Sequence, residues 1–382
     1  MKQLILLLFG VLCFSCHHTM KNDKVVDMQV IDGFPSTLDL EQMVDSVSFI
    51  PLDDGNSESL FKDIDKMLYV GGRFYILDYM GTSSVFVFDE SGSFLFKVGN
   101  VGQGPGEYYK VTDFDVNKGR IYLLDSKKRK ILSYDLDGKY LKDYKYLGKI
   151  EGVNDLIVTN EGDFLLGMDV ELNSKEQVLL VDSNFTIKNR VLDFTDETTR
   201  SQLKVGCFRR CGDEIVYHYP ISNKFYIFDS KGKILKDLDL LLGEEIDKDI
   251  RKDFWKVSVE REKQNLSYFY KTPFICNDFL VTEAFYRSKN AIVCADLDAR
   301  EFFLKEYSVD APFSLADFNF PLYMDDEKVV CRMSGGVYNR LDEDSKSMMK
   351  GPEVDCLNNG GIVFVVYHLN RNCSWQREII TN

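Results

Sequence analysis

A strand-turn-strand unit recurs along this chain with the same aspartate at its corner, and no other feature limits the possible folds as much. The copies read VFVFDESGSFLF at 85–96, ILSYDLDGKYLK at 131–142, VLLVDSNFTIKN at 178–189, FYIFDSKGKILK at 225–236 and IVCADLDAREFF at 292–303. Their corners, Asp89, Asp135, Asp182, Asp229 and Asp296, are separated by steps of 46, 47, 47 and 67 residues. A four-stranded β-propeller blade takes about 40–50 residues, so the period predicts small antiparallel sheets repeated around a ring. With 45% hydrophobic and 13% aromatic residues, the chain has the material for a large core and lacks the composition of a disordered one. A closed ring is one cooperative unit, so the 382 residues read as one large domain.

Each corner is preceded by a second apolar strand that starts near a turn: GRFYILD at 72–78, GRIYLLD at 119–125, GDFLLGM at 162–168, GDEIVYH at 212–218 and NDFLVTE at 277–283, with a sixth, EKVVCRM, at 327–333. Six such strands imply six blades. A further strand in front, such as KVTDFDV at 110–116 or GVNDLIVT at 152–159, would line the central channel. The expected class is therefore all-β, a six-bladed β-propeller over 47–370. The last blade lacks one strand after GIVFVVYHL at 361–369, and VSFIPL at 47–52 has no partner of its own. The N-terminal strand is thus expected to close the ring as the outer strand of the final blade, which removes an exposed sheet edge.

Strand alternation sorts the loops onto two faces. The Asp-x-x-Gly corners at Asp89, Asp135 and Asp229 suit hairpin turns that need a positive φ and a side-chain bond to backbone, and they lie on one face. The opposite face receives the crossings between blades and both insertions. One is a helical insertion at 241–268, where Ile246, Ile250, Phe254 and Val257 share a helical face. The other is a long loop at 334–360. Extra chain on one rim marks that rim as the expected binding side.

The N-terminus adds a location. Lys2, an apolar run from Leu4 to Phe14 and then Cys13-Phe14-Ser15-Cys16 read as a secretory signal over 1–15, with a lipoprotein box that leaves Cys16 as the lipidated residue. The run is too short to span a bilayer as a helix. Residues 16–46 show no period and read as a tether, and 371–382 as a C-terminal tail. The net charge of −14 becomes more acidic once Lys2 is removed, which argues against nucleic acid. The chain has 9 cysteines. Cleavage removes Cys13 and lipid takes Cys16, leaving an odd number, so at least one thiol should be free. Cys294 and Cys331 sit in strand-like runs and read as buried. Cys207 and Cys211 lack the second pair a zinc site needs, and His368 reads as buried in the closing strand.

The stretch KVGNVGQGPGEYYKVTDFDVNKGRIYLLD at 97–125, above all Gly102-Gln103-Gly104-Pro105-Gly106-Glu107-Tyr108, resembles the six-bladed β-propeller lipoproteins common in Bacteroidetes. SVSFIPLD at 46–53, VFVFDESG at 85–92 and the closing strand near 361–369 are similar to that family as well. The resemblance implies the fold and an extracytoplasmic lipoprotein in the cell envelope, and no established catalytic residues. Read from its residues, GQGPGEY is a blade-to-blade crossing rather than a phosphate loop, because no Lys-Ser/Thr follows and no helix starts there.

Candidate chemistry gathers at the ends of the second strands, where Asp78, Asp125, His218 and Glu283 are expected at one height beside the inserted face. Such a ring could bind a divalent cation, calcium or zinc, or act as acid and base, resembling in arrangement only the channel-mouth metal sites of propeller lactonases. The alternative is that Asp78 and Asp125 bond their own loops while His218 and Glu283 are loosely exposed. No GxSxG elbow is present. Glu107, Tyr108, Tyr79, Arg129, Tyr219, Tyr286 and Arg287 form a candidate binding rim of a kind suited to sugars, peptides or carboxylates. The leading function is a lipid-anchored binding module without a cofactor, for a glycan, peptide or outer-membrane protein partner. The alternatives are a metal-dependent hydrolase or lyase and a structural subunit of an outer-membrane complex. The sequence leaves the side of the membrane open.

Overall fold

The computed structural model describes residues 25–370 apart from 31–42, 54, 170–174, 196–197, 199–205, 277–278, 298–299, 308–313 and 316–320. The signal segment, Cys16 and the 371–382 tail lie outside the described residues. Six antiparallel sheets make a six-bladed propeller. Blade one runs Lys66–Val70, Arg73–Asp78, Ser84–Asp89 and Phe94–Lys97 from the channel outward. Blade two (113–145), blade three (153–193) and blade four (208–242) repeat this order. Blade five divides its inner position between Tyr268–Phe269 and Phe274–Cys276.

Blade six contains Pro321–Met324, Lys328–Ser334 and Ile362–Leu369, and its outer strand is Val44–Pro51. Pairing of Val44 with Leu369 and of Pro51 with Val363 closes the ring as the sequence predicts. The tether expected over 16–46 is not wholly irregular. Val25–Val30 lies parallel to the outer strand of blade four, from Val25 opposite Asp237 to Val30 opposite Leu242, and covers that sheet edge.

The nearly continuous apolar strands follow from stacking on both sides. In VFVFD, Val85 and Val87 pack in the cluster shared with blade two, while Phe86 and Phe88 pack in the one shared with blade six. The corners are built as their sequence suggests. Asp89 Oδ1 accepts the Ser91 and Ser93 amides at 2.9 and 3.0 Å, and the amide of Gly92 closes onto the Asp89 carbonyl at 3.0 Å. Asp135, Asp182 and Asp229 repeat the pattern, each with a bulge in register beside the corner. The fifth corner differs, since Asp296 pairs with Glu301 in regular register.

The 241–268 insertion is shorter than its sequence bounds, because residues 241–242 belong to blade four and 268 to blade five. It holds two helices, Lys248–Arg251 and Phe254–Gln264, capped by the side chains of Asp247 and Asp253. Ile246, Ile250 and Val257 are buried with Leu266, and Phe254 packs beside them, as the spacing predicts. The 334–360 segment, read as a loop, folds into three short helices, Gly335–Tyr338, Glu343–Ser347 and Gly351–Asn358. Leu341, Met349 and Leu357 sink from it into the core between blades five and six. No helix among the described residues is long and apolar enough to cross a membrane.

Gly92 has φ +88°, and a Cβ there would strike the carbonyl oxygen of Pro51 on the closing strand, whereas Gly119 at φ +69° faces open space. Gly119→Ala should therefore cost about 1–2 kcal/mol from backbone strain alone. Gly92→Ala should cost roughly 3 kcal/mol or more because it also pushes on the ring closure. Urea denaturation of the two variants measures the difference.

Candidate functional site

The inner strand of every blade turns one backbone edge to the channel, and those N–H and C=O groups need partners. Side chains of the preceding blade supply them. Lys66 of blade one donates to the Phe114 carbonyl at 2.8 Å and pairs with Asp113 at 2.7 Å. Asp113 and Asp115 of blade two accept the amides of Leu156 and Val158 in blade three, at 2.7 and 2.8 Å. Asp155 accepts the Gly206 and Cys207 amides of the blade-four segment at 3.0 and 3.1 Å. The Cys211 sulfur accepts from Ile275 at 3.3 Å, and the Cys276 thiol donates to the Asp325 carbonyl at 3.3 Å. Arg332 of blade six returns to Asp63 ahead of blade one.

The four residues expected to ring the channel mouth do not form one site. Asp78 is fully buried and accepts the amides of Lys62, Gly81 and Thr82 at 3.1, 2.9 and 2.8 Å. Asp125 does the same for Tyr109 and Lys128 at 2.6 and 2.9 Å. Both carboxylates hold their own blade's loops.

His218 is buried rather than loosely exposed. Its ring stacks on Phe225 with centroids 4.3 Å apart, and Nε2 lies 2.9 Å from the Ser222 carbonyl. Glu283 is also buried, and its Oε2 accepts from the Tyr270 hydroxyl at 3.0 Å. Among the described residues no group of three or more His, Cys, Asp or Glu is arranged to hold a metal ion.

The expected binding rim separates by burial. Tyr108, Tyr219 and Tyr286 lie inside the fold. Tyr108 donates to Ser84 Oγ at 3.0 Å, and Tyr219 packs edge-on against Phe194. Glu107 folds back on GQGPGEY and accepts the Gly104 amide at 2.6 Å. Tyr134 and Lys128 fasten the same loop through the Gly106 and Gly102 carbonyls, at 2.7 and 2.5 Å. Tyr79, under the Lys110 ammonium at 3.8 Å, and Arg129, 3.1 Å from Glu151, stay accessible. Arg287 is exposed at φ +46° in the turn of blade five, where it lies over Tyr286.

Cys294 and Cys331 are buried as expected, and the six described cysteines are free thiols. His368, in contrast, is exposed and bonds Ser48 at 2.9 Å across the closing pair, since alternation turns it to the outside of its strand.

Sequence reading missed the channel cations. Arg210 pairs with Asp115 at 3.0 Å and donates to the Val158 carbonyl at 2.6 Å. Arg209, one residue earlier and so on the other side of its strand, donates through Nε to the Thr272 carbonyl at 3.2 Å and stacks on Phe274 at 3.6 Å. Burial pulls its pKa down to about 10. Burial raises that of Glu283, opposed by Lys271, the Tyr270 bond and Arg209. An Arg-Arg pair on a four-residue strand was the available signal, legible only once the strand was known to line the channel.

The profile of a family described as a domain of unknown function, DUF4934, matches residues 24–359. No curated protein matches the chain. Among solved structures, a Bacteroides fragilis protein described as exported is 16% identical with a TM-score of 0.68, over 90% of this chain and 99% of that one. A DUF4221 family member from Bacteroides vulgatus is 10% identical with a TM-score of 0.52, over 86% and 99%. At these identities the likeness shows the fold alone.

Burial moves the His218 pKa from 6.5 to about 4, so the unfolded chain binds a proton below pH 6.5 that the folded one refuses, and stability is lost as pH falls through that window. Asp113 works in the opposite sense. Burial, against the pull of Lys66 and with Asp155 nearby, raises it from 3.8 to about 7, so its contribution is lost as pH rises toward 7. His218→Gln should gain up to about 3 kcal/mol on wild type between pH 7 and pH 4.5, read from paired urea titrations.

Proposed function

The chain belongs to the DUF4934 family, and from that premise we propose that it is a lipid-anchored envelope propeller that binds a protein or glycan partner through its inserted face. The observation that carries this reading is where exposed apolar side chains collect. Met80, Val101, Tyr109 and Leu147 stand on the loops above blades one and two, and Leu60 precedes them. Trp255 and Val259 stand on the insertion helix and Met348 on the helical segment of blade six. All of these elements lie on the inserted face. Among the described residues the hairpin face carries polar corners and the exposed large apolar side chain of Val70, and Leu95, Leu141 and Leu235 lie on outer strands.

Apolar residues gathered on one side of a folded domain mark an interaction surface, and aromatic and Met side chains such as Tyr109, Trp255 and Met348 suit one. The anchor rests on Cys13-Phe14-Ser15-Cys16 after an apolar run. An extracytoplasmic place is in keeping with the exported Bacteroides fragilis protein of like fold.

Cys16→Ser should move the protein from the membrane fraction to the soluble fraction, followed by immunoblot. Separately, photo-crosslinkers at Tyr109 and Trp255 should give discrete adducts in intact cells, while the same probe at Lys118 and Lys233 on the hairpin face should give none. Equal labelling of both faces would remove the inserted face as the docking surface.

A further inference from the structure

Among the described residues the outermost strand of blade four is Val25–Val30, and its direction says from which side the chain enters. It runs parallel to Ile234–Leu242, with Val25 opposite Asp237 and Val30 opposite Leu242. Ile234–Leu242 leaves the Asp229 corner on the hairpin face and ends at the 243–267 insertion on the other. The N-terminal end of Val25–Val30 is therefore its hairpin-side end. An antiparallel strand would have reversed this.

Chain length turns that direction into an orientation. Nine peptide steps separate Cys16 from Val25, and they reach about 30 Å at full extension. Val25 stands three residues beyond the start of the outer strand, about 10 Å from the hairpin corner. Toward the inserted face the five residues to Val30 take about 17 Å, and a helix of the insertion adds about 10 Å more. Lipid on Cys16 could then reach a leaflet under the inserted face only with the tether fully extended and reversed along the sheet. A leaflet under the hairpin face requires neither.

The corner brought toward the leaflet suits phosphate headgroups. Between blades three and four it holds a cleft of about 330 Å³, lined by Leu180, Asn189 and Val191 on one side and Lys231, Lys233 and Ile234 on the other, with no acidic residue in the lining. Lys231 pairs with Glu161 at 3.3 Å, whereas Lys233 has no ion pair among the described residues. Exposed Leu235 follows on the outer strand. The tether adds Lys21 and Lys24 against Asp23, in a chain of net charge −14.

We propose that the hairpin corner between blades three and four is the surface laid on the anchoring leaflet, with Lys231 and Lys233 against phospholipid phosphates and the inserted face turned to the aqueous side. This rests on lipidation at Cys16 and adds the orientation: a partner of the inserted face approaches from the aqueous side. A photo-crosslinker at Lys233 then meets lipid, so it still gives no discrete protein adduct.

The test uses lipidated full-length protein in vesicles of phosphatidylethanolamine and phosphatidylglycerol that carry headgroup nitroxides, with a bioorthogonal fluorophore at Leu235 or at Trp255. Quenching at Leu235 should exceed quenching at Trp255 several-fold. Lys231→Glu combined with Lys233→Glu should lower the quenching at Leu235 about twofold. High salt should lower it in the wild type as well, which reads the contact without depending on a variant. Equal or greater quenching at Trp255, or quenching at Leu235 that neither salt nor the double substitution changes, would overturn the proposal. Protein that fails to float with the vesicles loses the anchor and the orientation together, whereas protein that floats with Trp255 at the bilayer keeps the anchor and loses the orientation.

Discussion

The ring depends on how its inner strands satisfy their channel-facing backbone. A propeller pairs the second and third strands on both edges but leaves the first with one edge open to the axis, where water is restricted. Here each blade lends side chains to the next: Lys66 to blade two, Asp113 and Asp115 to blade three, Asp155 to blade four, Cys211 to blade five and Cys276 to blade six. A blade out of register would strand its neighbour's amides and carbonyls, so these bonds specify the stacking as well as stabilise it. The buried Lys66–Asp113 pair belongs to this scheme, and its carboxylate serves an amide and an ammonium at once.

Around that belt the packing is less selective. Third strands such as VFVFD bury both faces, and the hydrophobic clusters each span a blade and its neighbour. Corner aspartates then bind their own turns and present a glycine to the preceding blade, as Gly92 does to Pro51 and Gly138 to Phe96. Polar groups on the hairpin face are consumed by turn geometry. The inserted face, made of crossings and insertions, is where chain could be added without disturbing the ladder, and it holds most of the exposed apolar side chains.

Much of this was legible. The aspartate period predicted the blades, and an unpartnered VSFIPL predicted the closure that Val44–Pro51 makes. The spacing of Ile246, Ile250 and Val257 predicted the buried helical face. The sites were less legible. Asp78, Asp125 and His218 end their strands, yet the first two turn toward loop amides while His218 stacks on Phe225, and Glu283, expected at the same height, lies inside Phe279–Tyr286 and accepts from Tyr270. Equal height in a repeat does not mean equal direction of side chains. Tyr108 and Tyr219 look like rim residues in sequence because they follow strand ends, but their neighbours close over them. The strand at Val25–Val30 was hidden because a parallel partner 212 positions further along leaves no local period.

The number of blades, their strand order, the closing strand and the two faces are readable from the residues alone, since these follow from period, alternation and turn chemistry, all of which act between near neighbours. Tertiary structure alone decided which polar groups are consumed and which remain. Asp113, Asp115 and Asp155 are ordinary strand aspartates until the ring closes and sets a neighbour's amides before them. Arg209 and Arg210 are adjacent in the chain, yet Arg210 pairs with Asp115 while Arg209 bonds the Thr272 carbonyl and stacks on Phe274. Charge balance at the axis depends on contacts between blades, and no local pattern records those.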